Sequence, residues 1–145
     1  MSNQSFSIYH DFIIKASSEN VFDAITLPEQ LNNWWPLKST GHPEVGAEYN
    51  LNFTNAYNWY GNVSEVVKNK SFFIKMTTSS VDWNPTTFGF ELEAKDRETL
   101  VKFSHKGWPT CNAEYRNSSF CWAMLLNGLK KYVEEGIVIP FEERE

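Results

Sequence analysis

Only two cysteines, Cys111 and Cys121, occur in this chain of 145 residues, too few for a disulfide scaffold. They set the expectation of a reduced, cytoplasmic protein. Long apolar runs are missing as well. The longest, Phe120 to Leu126, has seven residues, against the roughly 20 that cross a bilayer. The opening MSNQSFSIYHDF has no basic segment and no apolar stretch, so no export signal is expected. Basic charge is not in excess either: the net charge of −5 argues against binding nucleic acid or an anionic membrane. No repeat, charge block or low-complexity stretch divides the chain, which predicts one domain over residues 1–145.

Catalytic signatures are equally scarce. There is no phosphate-binding glycine loop, no nucleophile elbow and no His-Glu-x-x-His helix. His10, His42 and His105 lack metal-ligand spacing, and the cysteines lie ten apart without a nearby histidine. No metal and no cofactor are expected.

Aromatic residues are what the chain has in quantity, at 16%: six Trp, six Tyr and eleven Phe. Apolar residues at 41% and charged residues at 21% are ordinary for a folded domain. Strict alternation predicts strands over Phe6–Ile14 and Glu48–Phe53. Further strands are expected near Trp59–Val67, Phe72–Thr78, Thr86–Ala94 and Thr99–His105. Short turns at Asn69-Lys70 and Asp96-Arg97 make these pairings antiparallel.

Between the first two strands, Ser17 and Ser18 offer caps to a short helix carrying Val21, Phe22 and Ile25. Pro28 opens a second, ending near Asn33, and Leu37 to Gly46 reads as a loop. The longest helix comes near the C-terminus. Asn117, Ser118 and Ser119 are its capping candidates, and Gly136 is its stop. Trp122, Leu126, Leu129 and Val133 form its apolar stripe, flanked by Leu125 and Tyr132. Such a stripe is buried only against the sheet, giving an α+β architecture. Gly128 has two readings, close packing on the sheet or room left for a ligand.

The chain is similar to the START-like (SRPBCC, helix-grip) superfamily. Within it the resemblance is to homologues of the activator of the 90-kDa heat-shock protein ATPase. The residues that carry it are Ala16 with Val21-Phe22-Asp23-Ala24-Ile25, then Pro28-Glu29-Gln30-Leu31 with Trp34-Trp35. Gly61-Asn62-Val63-Ser64-Glu65-Val66 and His105-Lys106-Gly107-Trp108 follow, then Trp122, Leu126, Leu129, Tyr132-Val133-Glu134 and Gly136. The resemblance implies a curved antiparallel sheet of six to seven strands gripping the C-terminal helix, with a cavity between them. It also implies functions as varied as lipid binding, polyketide cyclisation and co-chaperone action.

A small apolar or aromatic ligand is therefore the leading expectation, held between sheet and helix. Tyr49, Phe53, Phe90, Phe103 and His105 are expected to reach it from the strands, and Trp122, Leu125 and Gly128 from the helix. Trp35, Trp59 and Met76 complete the expected lining. Tyr57 and Tyr60 are further candidates for polar contacts. His105, in phase with Val101 and Phe103, reads as a satisfied histidine or as the acid–base group of a cyclase- or hydratase-type enzyme. His10 has the same two readings. Glu65 reads as a buried carboxylate or as an exposed residue after a bulge. A chaperone-regulating interaction module is the remaining alternative. The apolar tail Ile137-Val138-Ile139-Pro140-Phe141 is expected to dock on its own domain, or on a second subunit as a two-fold dimer.

Overall fold

A computed structural model describes residues 5–54 and 56–144. The first four residues of the segment read for an export signal lie outside them. The elements run β1 (Phe6–Ile14), α1 (Ser18–Thr26), α2 (Pro28–Leu31), β2 (Lys38–Thr40) and β3 (Glu48–Thr54). Then follow β4 (Tyr57–Val67), β5 (Ser71–Thr78), β6 (Thr87–Lys95), β7 (Glu98–Trp108) and α3 (Ala113–Glu135), with a 3-10 turn over Phe141–Glu143. Seven strands form one antiparallel sheet in the order β1-β7-β6-β5-β4-β3-β2. The first strand therefore pairs with the last, and α1 and α2 carry the chain to the opposite edge. Bulges in β1 and β4 and between Asn52 and Thr54 in β3 interrupt the register and bend the strands.

Local chemistry explains most boundaries. Ser17 caps α1 by accepting the Asn20 N–H, and Pro28 stands at the first turn of α2. Asn69 and Arg97 take the left-handed conformation, φ 63° each, in the two hairpin turns. Gly136 ends α3 at φ 71°, donating back to the Tyr132 carbonyl, where a side chain would be strained.

Two expectations are corrected. The stretch read as a loop contains β2, an edge strand pairing Ser39 with Leu51. Three polar residues are too few to show a period. The long helix starts at Asn112, whose side chain accepts the Tyr115 N–H at 3.0 Å, not at Asn117, Ser118 or Ser119. Those three lie inside the helix. Elsewhere β7 runs on to Trp108, past the expected end at His105.

The core lies between the sheet's inner face and α3, with α1 and α2 closing one end. Trp34 donates its indole N–H to the Ala24 carbonyl at 2.9 Å, and Tyr49 donates to the Thr26 carbonyl at 2.6 Å. These bonds tie helices to sheet while satisfying the polar tips of buried rings.

Candidate functional site

Trp122 reaches from α3 into the middle of the grip. Its ring centre lies 4.5 Å from Phe103, 4.8 Å from Trp35 and 5.6 Å from Phe88. Its indole N–H donates to His105 Nδ1 at 2.9 Å. Because Nδ1 accepts, the imidazole proton belongs on Nε2, which donates to Thr86 Oγ1 at 2.8 Å. Thr86 then donates to the Trp83 carbonyl at 2.6 Å. Burial pushes the His105 pKa down to about 3, since the charged ring would be desolvated. His105 is thus neutral at neutral pH, with both ring nitrogens engaged.

The residues expected to line a cavity divide into two groups. Tyr49, Met76, Phe90, Phe103 and His105 are buried in the core and do not line the cavity at the mouth of the grip. Tyr49 packs on Phe72, and burial raises its pKa; Phe90 packs on Trp34 and Phe103. Rings from the α2 end and from α3 fill the gap that sheet and helix leave. Gly128 answers neither of its two readings. A Cβ there would stand 3.6 Å from Ile139 Cδ1, so its open side holds the C-terminal tail. The crevice beside it measures only about 10 Å³.

Trp35, Phe53, Trp59, Trp122 and Leu125 do come together, around a cavity of about 710 Å³ at the mouth of the grip. Its walls are a chain of rings. Phe53 lies 5.7 Å from Trp35 and 5.3 Å from Trp59, and Trp59 lies 4.8 Å from Trp83. Tyr57 joins the lining from β4, and Phe141 joins it from the tail.

Polar groups gather at two places on this wall. Ser118 accepts the Trp83 indole N–H at 3.4 Å, and its own hydroxyl proton has no acceptor among the described residues. Ser80 Oγ, also buried, has no partner among them. The second place is Arg144. Its Nε donates to the Ile139 carbonyl at 2.8 Å, and Nη1 donates to the carbonyls of Pro36 at 3.1 Å and Trp35 at 3.3 Å. Its guanidinium carbon lies 5.8 Å from the Phe141 ring centre. Burial lowers its pKa, against a smaller opposing effect of Glu142. The tail is therefore strapped across the helix end: Ile139 and Phe141 are half-buried, Arg144 is buried, and Ile137 and Val138 stay exposed.

Sequence reasoning did not place Ser80, Ser118, Phe141 or Arg144 in a site. For Ser118 the one available signal was the polar run Asn117-Ser118-Ser119 interrupting a helix pattern. His10 bonds the Ser119 carbonyl at 3.2 Å, and His42 is an exposed neighbour of Glu44. Glu65 is exposed beyond a bulge at Ser64. No group of three potential metal ligands occurs among the described residues.

Together, an antiparallel sheet closed on a C-terminal helix with an aromatic cavity at its mouth define an α+β protein of the helix-grip class. Residues 15–134 match the family described as Activator of Hsp90 ATPase homolog 1-like protein, and the chain belongs to that family. The solution structure of the Aha1 dimer from Colwellia psychrerythraea is similar at 27% identity and TM-score 0.82, over 90% of this chain and 98% of that one. An AHSA1-like protein from Rhizobium etli matches at 24% identity and TM-score 0.73, over 91% and 84%. A Staphylococcus saprophyticus protein shares the fold at 21% identity and TM-score 0.78, over 92% and 96%. No curated protein matches the chain. No described helix is long and apolar enough to cross a membrane.

Proposed function

We propose that this protein binds a small, flat, largely apolar molecule in the cavity at the mouth of the grip. One observation carries the reading: about 710 Å³ stays open beside a tightly filled core, walled by indole and phenyl rings. That volume lies within the roughly 300–1,000 Å³ range of small-molecule sites. Aromatic walls give stacking area, and a few polar groups fix orientation. Cys111, an exposed thiol, suits a reducing cytoplasm.

Native mass spectrometry of the purified protein is the direct test. A co-purifying mass of small-molecule size, or saturable uptake of an apolar dye quenched by Trp59→Ala, is the expected result. Neither signal would end the reading. An acid–base role for His105 gains no support, because the ring is neutral, fully bonded and outside the cavity.

A second reading rests on a different surface. Phe120, Met124, Ile137 and Val138 are exposed apolar residues on α3 and the tail, and the Colwellia relative is a dimer. This face suits a second copy of the chain, or a chaperone partner of the kind the family description names. Sedimentation of the wild type against Phe120→Glu checks the first possibility, and pull-down with the chaperone checks the second.

A further inference from the structure

Resting on the binding reading above, we infer that the ligand is an aromatic carboxylate, its ring against the tryptophan wall and its acid group on Arg144. Arg144 is 8% exposed, yet no carboxylate lies within salt-bridge distance of it among the described residues. Carbonyl oxygens engage Nε and Nη1. They bring partial charge, not a counter-ion. Nη2 keeps both its protons without an acceptor among the described residues.

An anion at Nη2 would complete the guanidinium's bonding and bring full charge where the carbonyls bring only partial charge. With Nε and Nη1 of the fork engaged, Nη2 is the donor left for a carboxylate, and that bond is strengthened by charge on both sides. The carbonyl bonds hold the fork in place before anything binds, so little ordering remains to be done on binding.

Two carboxylates also line this cavity, Glu114 and Glu142, and the chain carries a net −5. Both glutamates are exposed. Water and salt screen such charges over about 8 Å, whereas the buried guanidinium is screened far less. The sign of the preference is therefore set by Arg144. At the other polar place, Ser118 offers a hydroxyl proton to a hydrogen-bonding substituent on the ring.

Three probes of one shape test the inference by calorimetry: 2-naphthoate, 2-naphthamide and 2-naphthylmethylamine. The wild type should bind the carboxylate at least 10-fold more tightly than the amide, and the amine most weakly. Arg144→Gln should bring carboxylate and amide within about 3-fold of each other, whatever its effect on overall affinity, and Arg144→Lys should retain part of the preference. Equal binding of acid and amide by the wild type overturns the inference and leaves the binding reading standing. A preference that survives Arg144→Gln also overturns it. If no probe binds, both readings fail. Because the first comparison uses only the wild-type protein, loss of the tail in a variant cannot obscure it.

Discussion

The two halves of the grip are made of the same residue types and behave differently. In the inner half Phe90, Phe103 and His105 are buried and packed with Trp122, and the Trp122–His105–Thr86–Trp83 relay spends every donor it contains. In the mouth Trp35, Phe53, Trp59 and Trp83 stand around open space, with hydroxyl and guanidinium donors unspent. Aromatic content alone does not separate core from site. What separates them is the covering element. Sheet and helix close the inner half, while a short tail pinned by one arginine covers the mouth.

That contrast predicts where substitutions hurt. The largest effect is expected from Trp122→Ala. It should cost about 3–5 kcal/mol, the usual range for removing a large buried ring, and it orphans His105 Nδ1 as well. Chemical denaturation would measure this, and a loss below about 2 kcal/mol would mean the inner half is less solid than described.

The next effect is on pH dependence. His105 has a folded pKa of about 3 against an ordinary 6.5. The unfolded chain therefore takes up a proton below pH 6.5 that the folded one refuses until about pH 3. Stability contributed by the neutral ring is fully present above pH 6.5 and is lost as pH falls toward 3. The slope attributable to this residue is at most about 1.4 kcal/mol per pH unit. His105→Gln should be less stable at pH 7 yet flatter between pH 6.5 and 4. Melting curves of both proteins across that range would show equal slopes if the imidazole titrated normally.

A smaller cost separates the mouth. Trp59→Ala, at a half-buried ring, should lose about 1–2 kcal/mol while abolishing dye uptake. If stability falls as far as for Trp122→Ala, the two halves are one core.

The smallest effect has the opposite sign. Gly128→Ala places a methyl in ordinary contact with Ile139 and removes a mid-helix glycine. It should raise stability by about 0.5–1 kcal/mol. A destabilised variant would show that Gly128 packs against something tighter than the tail.

How far the sequence disclosed this arrangement follows from the same physics. Strands with one buried face alternate visibly, as in Tyr49, Leu51 and Phe53, and the helix announces itself through Trp122, Leu126 and Leu129. β2 leaves no trace because three polar edge residues bury almost nothing. Asn117, Ser118 and Ser119 look like a helix start because polar side chains compete for backbone bonds. Here Asn117 and Ser118 border the cavity instead. A local rule broken where a site is found is the expected pattern. The division of the aromatics between core and mouth was not legible, since an inward-facing ring has the same sequence signature whether or not space lies in front of it. Arg144 was invisible for another reason: its contacts with Trp35 and Pro36 are more than a hundred residues away.

The relay through His105 also makes the grip observable. Trp122 and His105 hold their protons on one fixed tautomer, joining helix to sheet through a single nitrogen. The indole proton of Trp122 is then a gauge of how firmly the helix sits. It should exchange with solvent only when the helix lifts from the sheet, whereas Trp108, whose buried indole N–H has no acceptor among the described residues, supplies an unbonded reference signal in the same spectrum.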